Sequence, residues 1–166
     1  MIAQVLAPAK VTLTLRVTGV RADGYHLIDA EMVTVDLADE LVIDVGGEGI
    51  EVVDEAGRGL AVPADASNLV VRALRLAART AHVRLTKRIP AGGGLGGGSA
   101  DAAAVLRWAG FDDPVAAGGL GADVAFCLRG GRARVTGVGE VVEPLPHLDR
   151  TLTLLTPPFG CPTPAV

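Results

Sequence analysis

Apolar and polar residues alternate at period two along Val11-Thr12-Leu13-Thr14-Leu15-Arg16-Val17, which predicts a strand with one buried face. Pro8 holds the approach to it extended and leaves Lys10 at the strand edge. Residues 32–35 and 41–45 read as two further strands, with a turn over 36–40 between them. Gly46 to Gly49 predicts a hairpin into a strand over 50–53, and 57–66 reads as loop. The period then changes. Leu69, Val70, Ala73, Leu74 and Ala77 share one helical face, with Ser67 or Asn68 as cap. A short strand over 82–86 leads into a glycine-rich stretch, and a second helix runs to about Trp108, with Gly110 suited to its C-terminal stop. Asp113-Pro114 opens a short helix that ends at Gly118-Gly119. Residues 132–142 predict a hairpin turning at 137–139, and 151–155 a last strand. The order of elements is that of an α+β domain over 1–155, followed by an extended proline-rich tail over 156–166.

The stretch that organises this pattern is the one after Lys87-Arg88-Ile89. Six of the seven positions 92–98 are glycine, and Ser99, Ala100, Asp101 and an alanine run follow without a pause. Glycine frees φ and lets a ligand approach bare backbone. A glycine loop opening a helix offers unpaired N–H groups and the positive end of the helix dipole, which together make an anion site. Ser99 or Asp101 would suit the helix start. Asp101 is read as that cap in preference to a group that helps hold Mg²⁺. A flexible linker needs neither Leu95 in its middle nor an abrupt switch into helix. No Gly-Lys-Ser/Thr closes the loop, so it is not a Walker A motif.

Composition narrows the picture. With 166 residues and 49% hydrophobic content, the chain can bury one core. A formal charge of −4 argues against a nucleic-acid partner, which would require a basic face. Arg72, Arg75 and Arg79 recur at helical spacing as a solvated stripe. Cys127 and Cys161 stand at no metal or redox spacing, which points to reduced thiols in the cytoplasm. The first residues lack the features of a signal peptide, and no stretch has the length of a membrane span.

A transferase acting on a bound polyphosphate needs a group to orient and deprotonate the acceptor hydroxyl, and cationic charge nearby. Asp123, in the small-residue turn Gly121-Ala122-Asp123-Val124, is the candidate base; its plainer reading is a helix N-cap. Lys10 can point into a cleft from its strand edge or stay solvated. A Lys–Asp pair would set a cation beside the carboxylate and aim it at a hydroxyl. Tyr25 and His26, side by side in a turn, suit a flat heterocycle or ordinary packing at a strand start. His82, His147 and Trp108 read as structural, and no residue is assigned to a metal.

Pro8-Ala9-Lys10, Arg21-Ala22-Asp23-Gly24-Tyr25-His26, Val35-Asp36-Leu37-Ala38-Asp39, Lys87-Arg88-Ile89-Pro90 with its glycines, Leu120-Gly121-Ala122-Asp123-Val124 and Gly137-Val138-Gly139-Glu140 fall in one order across the chain. Together they resemble the 4-diphosphocytidyl-2-C-methyl-D-erythritol kinases of the GHMP kinase superfamily. The resemblance implies an N-terminal domain like the second domain of ribosomal protein S5, in which helices pack on a mixed sheet. It also implies transfer from ATP, with Mg²⁺, to the 2-hydroxyl of a cytidine-diphosphate-linked substrate. By position, Asp123 looks like the catalytic base and Lys10 its partner. Pro90, Ala91, Gly92, Gly93, Gly94, Leu95, Gly96, Gly97, Gly98, Ser99 and Ala100 look like the ATP phosphate loop, with Lys87 on the adenine side. Thr12, Tyr25, His26 and Thr163 look like substrate contacts.

The chain departs from the family at several points. Thr12 stands where members carry Asn, Ala100 where a second hydroxyl usually follows the loop serine, and Ala125 where proline is usual. The sequence stops before the family's C-terminal lobe, so the tail is expected to lead toward a lobe that is absent, and the uncovered cleft face leaves self-association open. Two alternatives remain beside the kinase: a nucleotide-binding remnant without turnover, and another small-molecule kinase of the superfamily.

Overall fold

A computed structural model describes residues 1–57 and 60–155. Its ten elements are β1 (Ile2–Val20), β2 (His26–Asp44), β3 (Gly49–Asp54), α1 (Leu69–Leu76), β4 (His82–Lys87), α2 (Gly97–Trp108), α3 (Pro114–Gly118), α4 (Val124–Arg129), β5 (Arg132–Gly137) and β6 (Val141–Pro144). The strands form one mixed sheet in the order β3-β4-β2-β5-β6, with β1 paired to β2. β2 is the hub: antiparallel β1 runs along most of its length, β4 pairs with its second half and β5 with its first.

Two strands are longer than the alternation predicts. β1 begins at Ile2 and passes through Pro8, because the register shifts between Pro8 and Lys10. Pro8 faces Ala38 and Lys10 faces Thr34, so β2 spends two extra residues around 35–37 where a turn over 36–40 was expected. The irregularity changes which residues point inward. Ala30 and Met32 are buried before it; Asp39, Leu41 and Ile43 are buried after it. The chain therefore bends without breaking its ladder. Residues 46–49 also do not form a hairpin back onto β2. β3 pairs parallel with β4, which lies between it and β2. A parallel neighbour requires a crossover, and α1 supplies it.

α1 is capped as expected, with the Asn68 side chain accepting from the Val70 N–H at 2.9 Å. α2 is the central helix, with Ala100 and residues 102–106 buried against the sheet and its neighbouring helices. Phe126 of α4 and Val83, Leu85 and Val135 of the sheet complete that core. Asp113 caps α3 through the N–H groups of Val115 and Ala116. Trp108 packs half-buried on the core, as its spacing predicts. Residues 151–155 form no strand; Leu154 instead packs on a second small cluster of Ala9, Ile89 and Leu95 beneath the glycine loop.

Candidate active site

The glycine loop walls a cleft of about 620 Å³ together with Lys10, Lys87, Asn68, Asp101 and Asp123. The helix start lies inside the glycine run, two residues before Ser99. Gly96 takes the N-cap position in a left-handed conformation, with no side chain capping the helix. Glycine is required there twice over. Its φ is +67°, and a Cβ would meet Lys10 Cγ at 2.7 Å. Among the described residues, Gly93 is the one member of 92–96 whose N–H meets a backbone carbonyl, that of Pro90 at 3.2 Å. The remaining amides and the open first turn of α2 present donors to the cleft, which suits a polyphosphate.

Lys10 is fixed at both ends. Its N–H donates to the Leu95 carbonyl at 2.9 Å, and its Nζ lies 3.1 Å from Asp123 Oδ2 and 3.2 Å from Thr12 Oγ1. The register shift after Pro8 turns this lysine inward, so of the two readings the solvated one gives way to a buried ammonium at the cleft. Asp123 stands at the N-cap of α4 by backbone, yet its carboxylate makes no cap bond and goes to Lys10. Behind it, the β5–β6 turn presses on the preceding residue: a Cβ at Gly139 would lie 2.6 Å from the Ala122 carbonyl oxygen, and Gly139 has φ +112°. Gly139→Ala is therefore expected to lower stability by about 1–3 kcal/mol. An unchanged urea midpoint would show that the turn gives way without cost.

Below the loop lies a buried ion cluster that the sequence reading missed. Lys87 Nζ donates to Asp39 Oδ2 and, at 2.7 Å, to Asp101 Oδ2. Asp39 Oδ1 also accepts from the N–H groups of Arg88 and Ile89. Asp101 is thus an ion-pair partner and not a helix cap. Burial lowers the proton affinity of Lys87, but the charges of Asp101 and Asp39 outweigh it and hold the ammonium above the ordinary lysine value. Burial pushes the Asp101 carboxyl up to about 7, against the pull of Lys87 and with the charge of Asp39 adding to the rise. Asp39 had a signal in the sequence: it lies in phase with Leu41 and Ile43.

The structure brings Lys10, Thr12, Asp123 and the loop from Pro90 to Ser99 together. Ala100 is apart from that cleft, with its methyl in the core and its N–H bonded to the Gly96 carbonyl. Tyr25 and His26 sit at the exposed β1–β2 end and do not line the cleft. The Arg21 guanidinium covers one face of the Tyr25 ring at 5.3 Å and pairs with Asp23. Thr163 lies outside the described residues, as does Cys161. Cys127 is buried in α4, and among the described residues no group of three His, Cys, Asp or Glu is placed to hold a metal.

Residues 68–111, from the α1 cap through α2, match the GHMP kinases N terminal domain. A 4-diphosphocytidyl-2-C-methyl-D-erythritol kinase of Paracoccus denitrificans is 48% identical over 161 residues, 96% of this chain and 58% of that protein. The fold is that of a GHMP kinase N-terminal domain. A second 4-diphosphocytidyl-2-C-methyl-D-erythritol kinase, from Ruegeria pomeroyi, is 46% identical, covering 100% of this chain and 62% of its own length. A crystal structure of 4-(cytidine 5'-diphospho)-2C-methyl-D-erythritol kinase superposes with a TM-score of 0.66 at 41% identity, over 86% of this chain and 55% of that one. The chain thus spans about three-fifths of the length of the curated relatives it matches. The α+β domain with a mixed sheet and packed helices, expected from the sequence, is the domain observed.

Proposed function

We propose that this chain carries the phosphate loop and catalytic base of a kinase that moves the γ-phosphate of ATP to the 2-hydroxyl of 4-diphosphocytidyl-2-C-methyl-D-erythritol. The observation that carries the reading is the Lys10 Nζ–Asp123 Oδ2 contact of 3.1 Å at the edge of the glycine-loop cleft. Asp123 takes the proton of the acceptor hydroxyl as its oxygen bonds to the γ-phosphorus; the bridging bond to the β-phosphate breaks, and ADP leaves with that electron pair. Lys10 holds the carboxylate in position, and the loop amides bind the phosphates, so the protein contributes mostly orientation and charge. Mg²⁺ enters as part of the nucleotide substrate, held chiefly by phosphate oxygens, and in that form needs few protein ligands.

Tyr25 and His26 are assigned to the cytosine end. Tyr25 is 61% exposed, and Arg21 occupies one face of its ring, leaving the other for a base. The named relatives support the substrate. No helix among the described residues is long and apolar enough to cross a membrane, and the reaction is assigned to the cytoplasm. Coupled ADP release is expected with the cytidine-linked alcohol and absent with homoserine or mevalonate. Turnover of either of those alone would replace the substrate assignment, and ATP binding without turnover of any of them would favour the remnant.

A further inference from the structure

The Lys87, Asp39 and Asp101 cluster joins the two ends of the glycine loop. Lys87 ends β4, three residues before Pro90, and Asp101 lies in the second turn of α2. Asp39 of β2 accepts from Lys87 Nζ, which joins it to Asp101, and also takes the N–H groups of Arg88 and Ile89. All three side chains are at most 3% exposed. The ammonium lies directly under the loop: a Cβ added at Gly97 would be 3.1 Å from Lys87 Nζ. One atom is left over. Asp101 Oδ1 is buried without a hydrogen-bond partner.

We infer that Asp101 is a positioning residue for the phosphate loop: it holds the Lys87 ammonium beneath Gly97, and its own protonation sets the charge under a bound phosphate. The inference rests on the nucleotide site proposed above. With both carboxylates ionised the cluster carries one net negative charge beside an anion site. With Asp101 protonated it is neutral, and Oδ1 ceases to be an unpaired buried carboxylate oxygen. The other groups facing this point are few. β4 supplies Lys87 and β2 supplies Asp39, while across the cleft are Lys10 of β1 and Asp123 before α4. Cys127 of α4 has its thiol pushed up to about 12 by burial, with the charge of Asp123 adding to it, so it stays neutral. α1 turns Val70, Ala73 and Leu74 inward and keeps Arg72 and Arg75 exposed.

A bound polyphosphate disfavours the ionised form of Asp101, so nucleotide uptake draws a proton onto it, and affinity weakens as pH rises through its titration. Binding of Mg²⁺ with a non-hydrolysable ATP analogue should be measured by calorimetry on the full chain and on Asp101→Asn, from about pH 6 to about pH 8.5. The nucleotide's own titration is common to both proteins. The ratio of wild-type to variant affinity is expected to fall by about fivefold over that range. A ratio independent of pH overturns the inference. Absence of binding by the wild-type chain at every pH overturns the nucleotide site itself, a separate result. A second readout needs no variant: the ¹³C carboxyl signal of Asp101 in wild-type protein is expected to titrate near the value of about 7 given by its burial and to move higher with nucleotide bound. A midpoint in the ordinary carboxylate range, or one unmoved by nucleotide, also overturns it.

Discussion

Asp123→Asn is expected to lower phosphoryl transfer by roughly a hundred- to ten-thousandfold, while nucleotide affinity stays within about twofold. The variant keeps the size of the side chain beside Lys10, whose Nζ is 3.1 Å from the native carboxylate. It removes the group that accepts the hydroxyl proton. The phosphate loop is untouched, because its donors are backbone amides and Asp123 lies across the cleft from them. Initial rates and calorimetric ATP binding, measured on the same preparation, separate the two effects. Affinity that drops in step with rate would make Asp123 a binding group and leave the reaction without its base.

Lys87→Met is expected to destabilise the fold by about 3–5 kcal/mol, because it strands two buried carboxylates that share one cation. Asp39 and Asp101 are at most 3% exposed and, among the described residues, have no other ammonium or guanidinium within ion-pair distance. The loss should be greater at alkaline than at acid pH. Asp101 already holds its proton more tightly in the native state than the ordinary value of 3.8, with its titration raised to about 7. The stability this confers is present in full below the unfolded value and disappears as pH climbs through the native one. Removing Lys87 takes away the one partner that opposes this rise. Urea midpoints of both proteins at pH values either side of that titration decide the matter; equal losses at both would mean the carboxylates re-solvate in the variant.

Local chemistry was the legible part of this chain. The change from glycine to alanine at Gly98–Ala100 locates the loop and its helix, Asn68 marks a cap, Asp113-Pro114 marks a helix start, and the small-residue turn holds the carboxylate of Asp123 that meets Lys10. Each depends on residues a few positions apart. The errors share a cause of the opposite kind. Residues 36–40 read as a turn because polar and apolar residues change phase there, whereas the ladder to β1 continues through a register shift. The pairing of β3 with β4 is settled by an insertion between strands, which no local period encodes. Asp101 reads locally as a helix cap because its partner Lys87 lies 14 positions away, at the end of β4. Lys10 was ambiguous for the same reason: its burial depends on the shift at Pro8, visible only once β2 is beside it.

Sheet order also carries a kinetic consequence. β2 is made early in synthesis, yet its edge away from β1 waits for β4 along one half and for β5 along the other, and Arg134 of β5 pairs with Asp29 across 105 positions. Contacts so remote in sequence impose a large loop-closure cost and slow the search for the native state. Until those partners emerge from the ribosome, the long β1–β2 ribbon exposes unsatisfied strand edges, and this interval is when the nascent polypeptide is most open to misassociation with its neighbours.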